Sequence, residues 1–412
     1  MTGGFIWRCG GCPMLPDDAG QPQRRTQRQP GKKPRKKLGK KPGKKPVRIL
    51  GDGCAALSLA ARADELPGHG ITLVRPSGVP SPAEHIWGFW GGAGLETATK
   101  LARASWTCWA IVTKTDRVVM TSLERPYFAL RRSDWTSHCR AAAEAGGVSM
   151  ETISGTSDDI PVDDADTQQF DSRPPPVPRG MMLQHFIGLE VRAPVPVFDP
   201  DMAILMDFRV DQSRGMHFIY LLPFSPTEAL VESTLFSPEA LDEDVYLAAI
   251  NTYLNDHCGL ADFEILRRER GVIPLGRLDR RDPAIPGIGG NGGAIRPSSG
   301  YAFIFIQRQI DNAIAAARAT GTLAVTSPHQ SIDLAMDAVL LTVLRHWPER
   351  APDLFLRMGK ALSGDEFARF LSGEASWGLR LKVVMAMPKL PFLRGALRLV
   401  TGGSAVKYAG AA

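Results

Sequence analysis

Six residues, Gly51-Asp52-Gly53-Cys54-Ala55-Ala56, constrain this chain more than any other stretch. They spell G-x-G-x-x-A between two apolar runs, VRIL (47–50) and ITLVRP (71–76). Each run reads as a short strand, and LSLAARADEL between them reads as a helix with an apolar face. The first glycine permits a tight turn, and the second lets backbone approach a pyrophosphate. The small third position packs helix against strand, with the phosphates at the helix N-terminus. The chain is therefore expected to open its fold with a βαβ unit that binds a dinucleotide. One element departs from the pattern. Arg75 stands where an acidic residue would hold the ribose, and reads either as a 2′-phosphate contact, hence NADP, or as an exposed side chain.

Charge is divided unevenly before that unit. The chain has 412 residues and a formal net charge of +6. Residues 1–46 alone hold thirteen basic and two acidic side chains, so the body is mildly acidic. A protein that coats nucleic acid over its whole surface is excluded. The Pro/Gly/Lys-rich stretch 13–46 has too few large apolar groups to offset chain entropy and is expected to be a disordered basic tail. It reads either as an anionic-lipid or nucleic-acid contact or as a solvated extension. Cys9 and Cys12 form the single CxxC, too few ligands for a zinc site, and no metal is expected. No run of about 18 apolar residues predicts a transmembrane helix, and the first residues lack the apolar core of a signal peptide. The expectation is a cytoplasmic protein, soluble or peripherally bound to a membrane.

Further along, Asp158–Pro178 is acidic and Pro-rich and reads as a long loop. AILMDFRV (203–210), MHFIYLLP (216–223) and ALVESTLF (229–236) then read as an antiparallel meander. After a helical segment beyond Tyr246 comes a Gly-rich stretch, Gly287–Tyr301, and helical periods follow to the end. This order implies a discontinuous enzyme: a nucleotide domain over 47–150 and 265–330, a substrate-binding sheet domain over 151–264, and a helical region over 331–412.

Nine motifs in one order resemble a known family. They are the Gly51/Gly53/Ala56 loop, EHIWGFW (84–90), MDFR (206–209), FIYLLP (218–223), ALVEST (229–234), ERGVIPL (269–275), RPSSGYAF (296–303), FARFLSGEAS (367–376) and AMPKLPFL (386–393). From about Val47 to Leu399 the chain resembles the bacterial-type lycopene β-cyclases. The resemblance implies an α/β, two-domain, Rossmann-like FAD-binding fold related to flavoprotein hydroxylases, with an antiparallel-sheet substrate domain and a helical C-terminal part. It also implies reduced FAD, maintained with NADPH, and conversion of lycopene to γ-carotene and then β-carotene without net redox change. An FAD- and NADPH-dependent isoprenoid hydroxylase or reductase is the competing enzyme reading. A non-catalytic carotenoid- or membrane-binding protein is the third.

Lycopene offers no group for hydrogen bonding, so cyclisation must start by protonating its terminal alkene. That needs a buried acid held protonated at neutral pH. Glu232, inside the apolar strand ALVESTLF, is the leading candidate and matches the family's acidic motif. Asp207, with Arg209, either orients Glu232 or the flavin or forms a plain structural ion pair. Glu269 is a second acid candidate, with a surface salt bridge as the alternative. Trp87, Phe89, Trp90, Phe218 and Tyr220 are expected either to line a tunnel whose aromatic faces favour carbocations or to be ordinary core. For the cofactor, the resemblance points to Gly51, Gly53, Ala56, Arg131 and the second glycine-rich stretch with Gly290, Asn291 and Gly300. Related hydroxylases carry an Asp in that stretch, and this chain offers Asn291. Leu379–Val400 has the composition of an interfacial amphipathic helix broken at Pro388 and Pro391, or of a core helix with snorkelling basic residues. The lipid origin of the substrate favours a membrane surface as partner, and no specific nucleic acid is expected.

Overall fold

The computed structural model describes residues 44–78, 83–155 and 167–401. Most of the basic tail, with Cys9 and Cys12, lies outside the described residues, and so does 156–166 of the acidic stretch. Lys45 and Pro46, inside the expected tail, pair in the strand Lys45–Leu50.

That strand is central in a four-stranded parallel sheet. It pairs with His69–Pro76 and with Gln168–Asp171, and Ser149–Ile153 extends the sheet beyond His69–Pro76. Gln168–Asp171 corrects the reading of 158–178 as loop throughout. Val47, Ile49 and Leu50 are buried, as expected of a parallel strand covered on both faces. The helix Cys54–Ala60 follows directly, and its alanines and leucines are buried under the helices Arg132–Ala145 and Phe303–Thr320. It stops at Ala60, and Ala63–Glu65 continues as a single 3-10 turn.

The second sheet has seven strands. Their order is Glu264–Leu275, Met182–Arg192, Glu228–Ser237, Met216–Pro223, Met202–Asp207, Cys108–Val112 and Arg117–Thr121. All neighbours are antiparallel except Met202–Asp207 with Cys108–Val112. The predicted meander forms its centre. Cys108–Val112, Arg117–Thr121 and Glu264–Leu275, which the sequence reading put with the nucleotide part, pair in this sheet instead. Sequence distance concealed that pairing.

Strand alternation gives this sheet two apolar faces. Leu189, Val191, Ile219 and Val231 pack against Ile250, Tyr253 and Leu254 of the helix Glu243–Cys258. Phe218, Leu230 and Phe236 face the other way, toward the C-terminal helices Ser331–His346, Ala351–Ala361, Gly364–Leu371 and Trp377–Ala386. A small antiparallel sheet of Ile86–Trp90, Tyr127–Arg131 and Ala104–Trp106 completes the strands named here. The expected interfacial segment is two helices, Trp377–Ala386 and Lys389–Thr401, separated at Pro388.

Candidate active site

The site is built on one row across the seven-stranded sheet. Glu232 stands opposite Gly188 on one side and Tyr220 on the other, and Gly188 stands opposite Glu269 on its far side. Directly opposed residues project from the same face, so both carboxyls and the phenol share it. Gly188 makes their meeting possible: a Cβ there would lie 2.8 Å from Glu269 Cγ and 3.2 Å from its Oε1. Glu232 and Glu269 are both buried. Thr234 Oγ1 donates to Glu232 Oε1 at 2.6 Å, and the backbone N–H of Ile86 donates to Glu269 Oε2 at 3.1 Å.

Burial dominates the proton affinity of both groups. Loss of solvation pushes Glu232 up to about 7, against a smaller opposing effect of the Thr234 hydrogen bond. Glu269 is raised well above the ordinary carboxyl range by burial first and by Glu232 second, with Arg267 opposing. Burial therefore favours the protonated form of both carboxyls.

Three tyrosines surround Glu232. The Tyr127 hydroxyl lies 2.9 Å from that of Tyr220 and 3.3 Å from that of Tyr301. Burial raises all three, so they stay neutral. They border a cavity of about 750 Å³ whose wall is mainly apolar, with Trp87, Phe218, Phe303, Phe392 and Leu393 among its residues. Its acidic wall residues, among those described, are Glu232 and Asp337. Asp337 is paired with Arg296 at 3.2 Å and accepts from Ser298 at 2.7 Å. Glu232 is thus the wall carboxyl free to act as an acid. No group of described residues could hold a metal ion.

The family model "Lycopene cyclase protein" matches residues 47–397. The chain belongs to the lycopene cyclase family. Among curated relatives, a lycopene beta-cyclase of Paracoccus sp. (strain N81106 / MBIC 01143) is 31% identical over 51% of this chain and 57% of its own. One of Pantoea ananas is 26% identical over 53% of this chain and 60% of its own. The matches thus span less than two thirds of those relatives' length. Solved structures add the fold. A geranylgeranyl bacteriochlorophyll reductase-like protein of Thermoplasma acidophilum superposes with TM-score 0.52 at 12% identity, over 87% of this chain and 99% of that one. A flavoprotein/dehydrogenase of Cytophaga hutchinsonii gives 0.53 at 13%, over 80% and 93%. The α/β fold, with mixed sheets and a helical C-terminal part, is the one these two structures share.

Within this family member, the residues singled out from sequence fall into groups. Trp87, Phe218 and Tyr220 border the cavity, and Trp87 stacks on Phe303 at 5.2 Å. Phe89 and Trp90 do not. Phe89 is core beside Phe128 and Phe303, and Trp90 is core beside Trp109, Tyr127 and Phe367. Asp207 is fully buried at the opposite face from Glu232, where it accepts from Arg209 and from the Tyr253 hydroxyl at 2.9 Å. It is a structural ion pair, not a neighbour of Glu232. Glu269 is no surface residue but part of the buried row.

The cofactor candidates divide likewise. Gly51 adopts φ +101°, and Gly53 has nothing within 4 Å of where a Cβ would stand, so the turn leaves room for a ligand against its backbone. Ala56 is buried against the core. Gly289, Gly290, Asn291 and Gly292 form a turn beside the helix Cys54–Ala60. The Asn291 amide is spent within the protein: it donates to the Asp171 carbonyl at 3.1 Å and accepts from Arg281 N–H at 2.8 Å. A contact from this turn falls to its backbone. Gly300, at φ +69°, lies in the cavity wall, just before the helix that begins at Phe303. Arg131 is bound to Glu190, as are Arg103 and Arg267. Arg75 meets Asp52 of the glycine turn at 3.6 Å, as Arg140 does at 3.2 Å.

Sequence reasoning missed Gly88, Gly188, Tyr127 and Tyr301. A glycine inside an otherwise apolar strand was the available signal, since it marks close approach of another group. Nothing in the sequence announces the arginine cluster around Glu190.

Proposed function

We propose that this protein cyclises the ψ-ends of lycopene to β-ionone rings, giving γ-carotene and then β-carotene, with Glu232 as the acid. The observation that carries the reading is a buried carboxyl in the wall of an apolar cavity, where loss of solvation favours its protonated form. The terminal C1–C2 alkene of lycopene accepts its proton at C2, and ring closure follows from the cation at C1. The faces of Trp87, Phe218 and Tyr220 favour that cation through cation–π attraction, and the apolar wall keeps water from trapping it.

The Gly51 and Gly53 turn fits FAD, because its backbone is open where a pyrophosphate would lie, and the 289–292 turn and Gly300 stand as further backbone contacts. FAD, when bound, supplies the reduced flavin that this reaction needs, with NADPH as the reductant and no net redox change. Membership of the family and the flavoprotein fold support this assignment.

A lipid surface is the proposed source of substrate. From Ala375 to Thr401 there are five basic residues and no acidic one. Trp377, Leu381, Met385, Leu390, Leu397 and Val400 are exposed. Val383, Phe392 and Leu393 of the same two helices, and Met387 between them, form part of the cavity wall, giving a hydrocarbon an apolar route inward. The proposed contact is peripheral, and no helix of the described residues is long and apolar enough to cross a membrane.

Expression in cells that accumulate lycopene tests the function. β-Carotene or γ-carotene is the expected product. Oxygenated or saturated carotenoid would replace this reading with a hydroxylase or reductase, and unchanged lycopene would remove both.

A further inference from the structure

We propose that Glu269 acts through Glu232, as a neutral hydrogen-bond donor to the carboxylate left when Glu232 gives up its proton, and that Gly188 is the position that lets the two carboxyls meet. The proposal rests on the cyclase reading and assigns Glu269 as a positioning residue. Glu232 is in the cavity wall and Glu269 is not.

The two oxygens of Glu269 are unlike. Its Oε2 accepts the N–H of Ile86, as a carbonyl oxygen does. Its Oε1 lies over Gly188, on the side of Glu232, and no N–H or O–H of a described residue donates to it. That is the arrangement of a carboxylic acid whose hydroxyl has one acceptor available, the neighbouring carboxyl. Arg267, on the same strand, comes within 3.7 Å of Oε2, but it also binds Glu190. Tyr127, Tyr220 and Tyr301 beside the pair stay neutral, and His85 and Arg270 also line the cavity.

A buried acid faces a conflict. Burial keeps its proton on, and for the same reason makes the proton hard to give to a hydrocarbon. Donors already aimed at the conjugate base resolve this, because they stabilise charge only as it develops. Thr234 Oγ1 is one such donor to Glu232, and the Glu269 hydroxyl is the second. The proton then balances over the reaction. Glu232 protonates C2, and the C5=C6 electron pair forms the C1–C6 bond, leaving a cation at C5. The C6–H pair becomes the new C5=C6 double bond, and that proton returns to the Glu232 carboxylate. Glu269 keeps its own proton throughout, and no electrons are gained or lost.

The test is turnover of lycopene in lipid vesicles by the full chain with reduced FAD, comparing Glu269→Leu, Glu269→Gln, Gly188→Ala and Glu232→Gln. Glu269→Leu removes the donor and is expected to lower kcat by roughly 10²-fold at unchanged KM, the usual effect of losing one such donor. Gly188→Ala displaces Glu269 and should fall with it. Glu269→Gln keeps an N–H donor and should lose no more than about tenfold. Equal losses in the Gln and Leu variants, or a loss confined to KM, overturn the proposal. If Glu269→Leu does not fold, a loss of about 10²-fold or more in Glu269→Gln overturns it, and a smaller one supports it. Full turnover in Glu232→Gln removes the underlying choice of acid. An inactive Glu232→Gln beside an unimpaired Glu269→Leu removes this proposal alone.

Discussion

The hydroxyls of Tyr127 and Tyr220 stand 2.9 Å apart, each from a different sheet, in space that Gly88 leaves open. A Cβ at Gly88 would lie 2.0 Å from the Tyr127 hydroxyl oxygen and 2.5 Å from that of Tyr220. Tyr301 joins them from just before the helix Phe303–Thr320, so three separate elements meet at one polar point in an apolar cavity wall. The first prediction follows from that crowding. Gly88→Ala should overpack the junction, cost about 1–3 kcal/mol and lower the urea midpoint, with cyclisation lost. An unchanged midpoint would mean that the tyrosines do not hold the two sheets together.

Glu232 links pH to both stability and rate. Its carboxyl rises from the ordinary 4.5 to about 7 in the folded protein because it is buried. Between those values the folded state holds a proton that the unfolded chain has released, so stability is highest below the window and falls as pH rises through it. Urea midpoints at pH 5 and pH 8 should show the fall, and Glu232→Gln should flatten it. Cyclisation should decline above about pH 7 as the acid ionises. A rate that climbs through this range would argue for a base as the first actor.

The two glycines of the first turn should separate folding from ligand binding. Gly53→Ala meets no neighbour within 4 Å and has φ −74°, which alanine adopts freely. It should fold normally and bind less flavin, read as flavin absorbance per protein. Gly51→Ala combines φ +101° with an approach of 2.6 Å to Ser172 Oγ. It should lose about 1–3 kcal/mol of stability as well.

Leu390 and Leu397 are exposed by 67% and 60% on the C-terminal helix. Replacing both with Glu should leave thermal stability within about 0.5 kcal/mol per site, as surface changes do. Cosedimentation with anionic vesicles should be lost, and added salt should weaken that of the unaltered protein. Undiminished sedimentation would assign membrane contact elsewhere.

Much of this was legible in the chain. The βαβ opening could be read because its glycines are local backbone requirements, set by residues within six positions of each other. Glu232 could be read because a carboxyl in an apolar strand is costly to bury when charged. Asp207 and Trp90 stayed open between two readings for a shared reason. Alternation along a strand tells which residues share a face, but not what covers that face.

Local pattern carries a glycine-rich turn between strands, an acidic group within an apolar run and a basic, acid-free C-terminal segment. Packing sets the rest: Glu232 and Glu269 on either side of Gly188, the other face for Asp207, and the convergence of Tyr127, Tyr220 and Tyr301. Those relations depend on strand register and on which elements pack over each face. Register is fixed by contacts between segments far apart in the chain, which no local pattern carries.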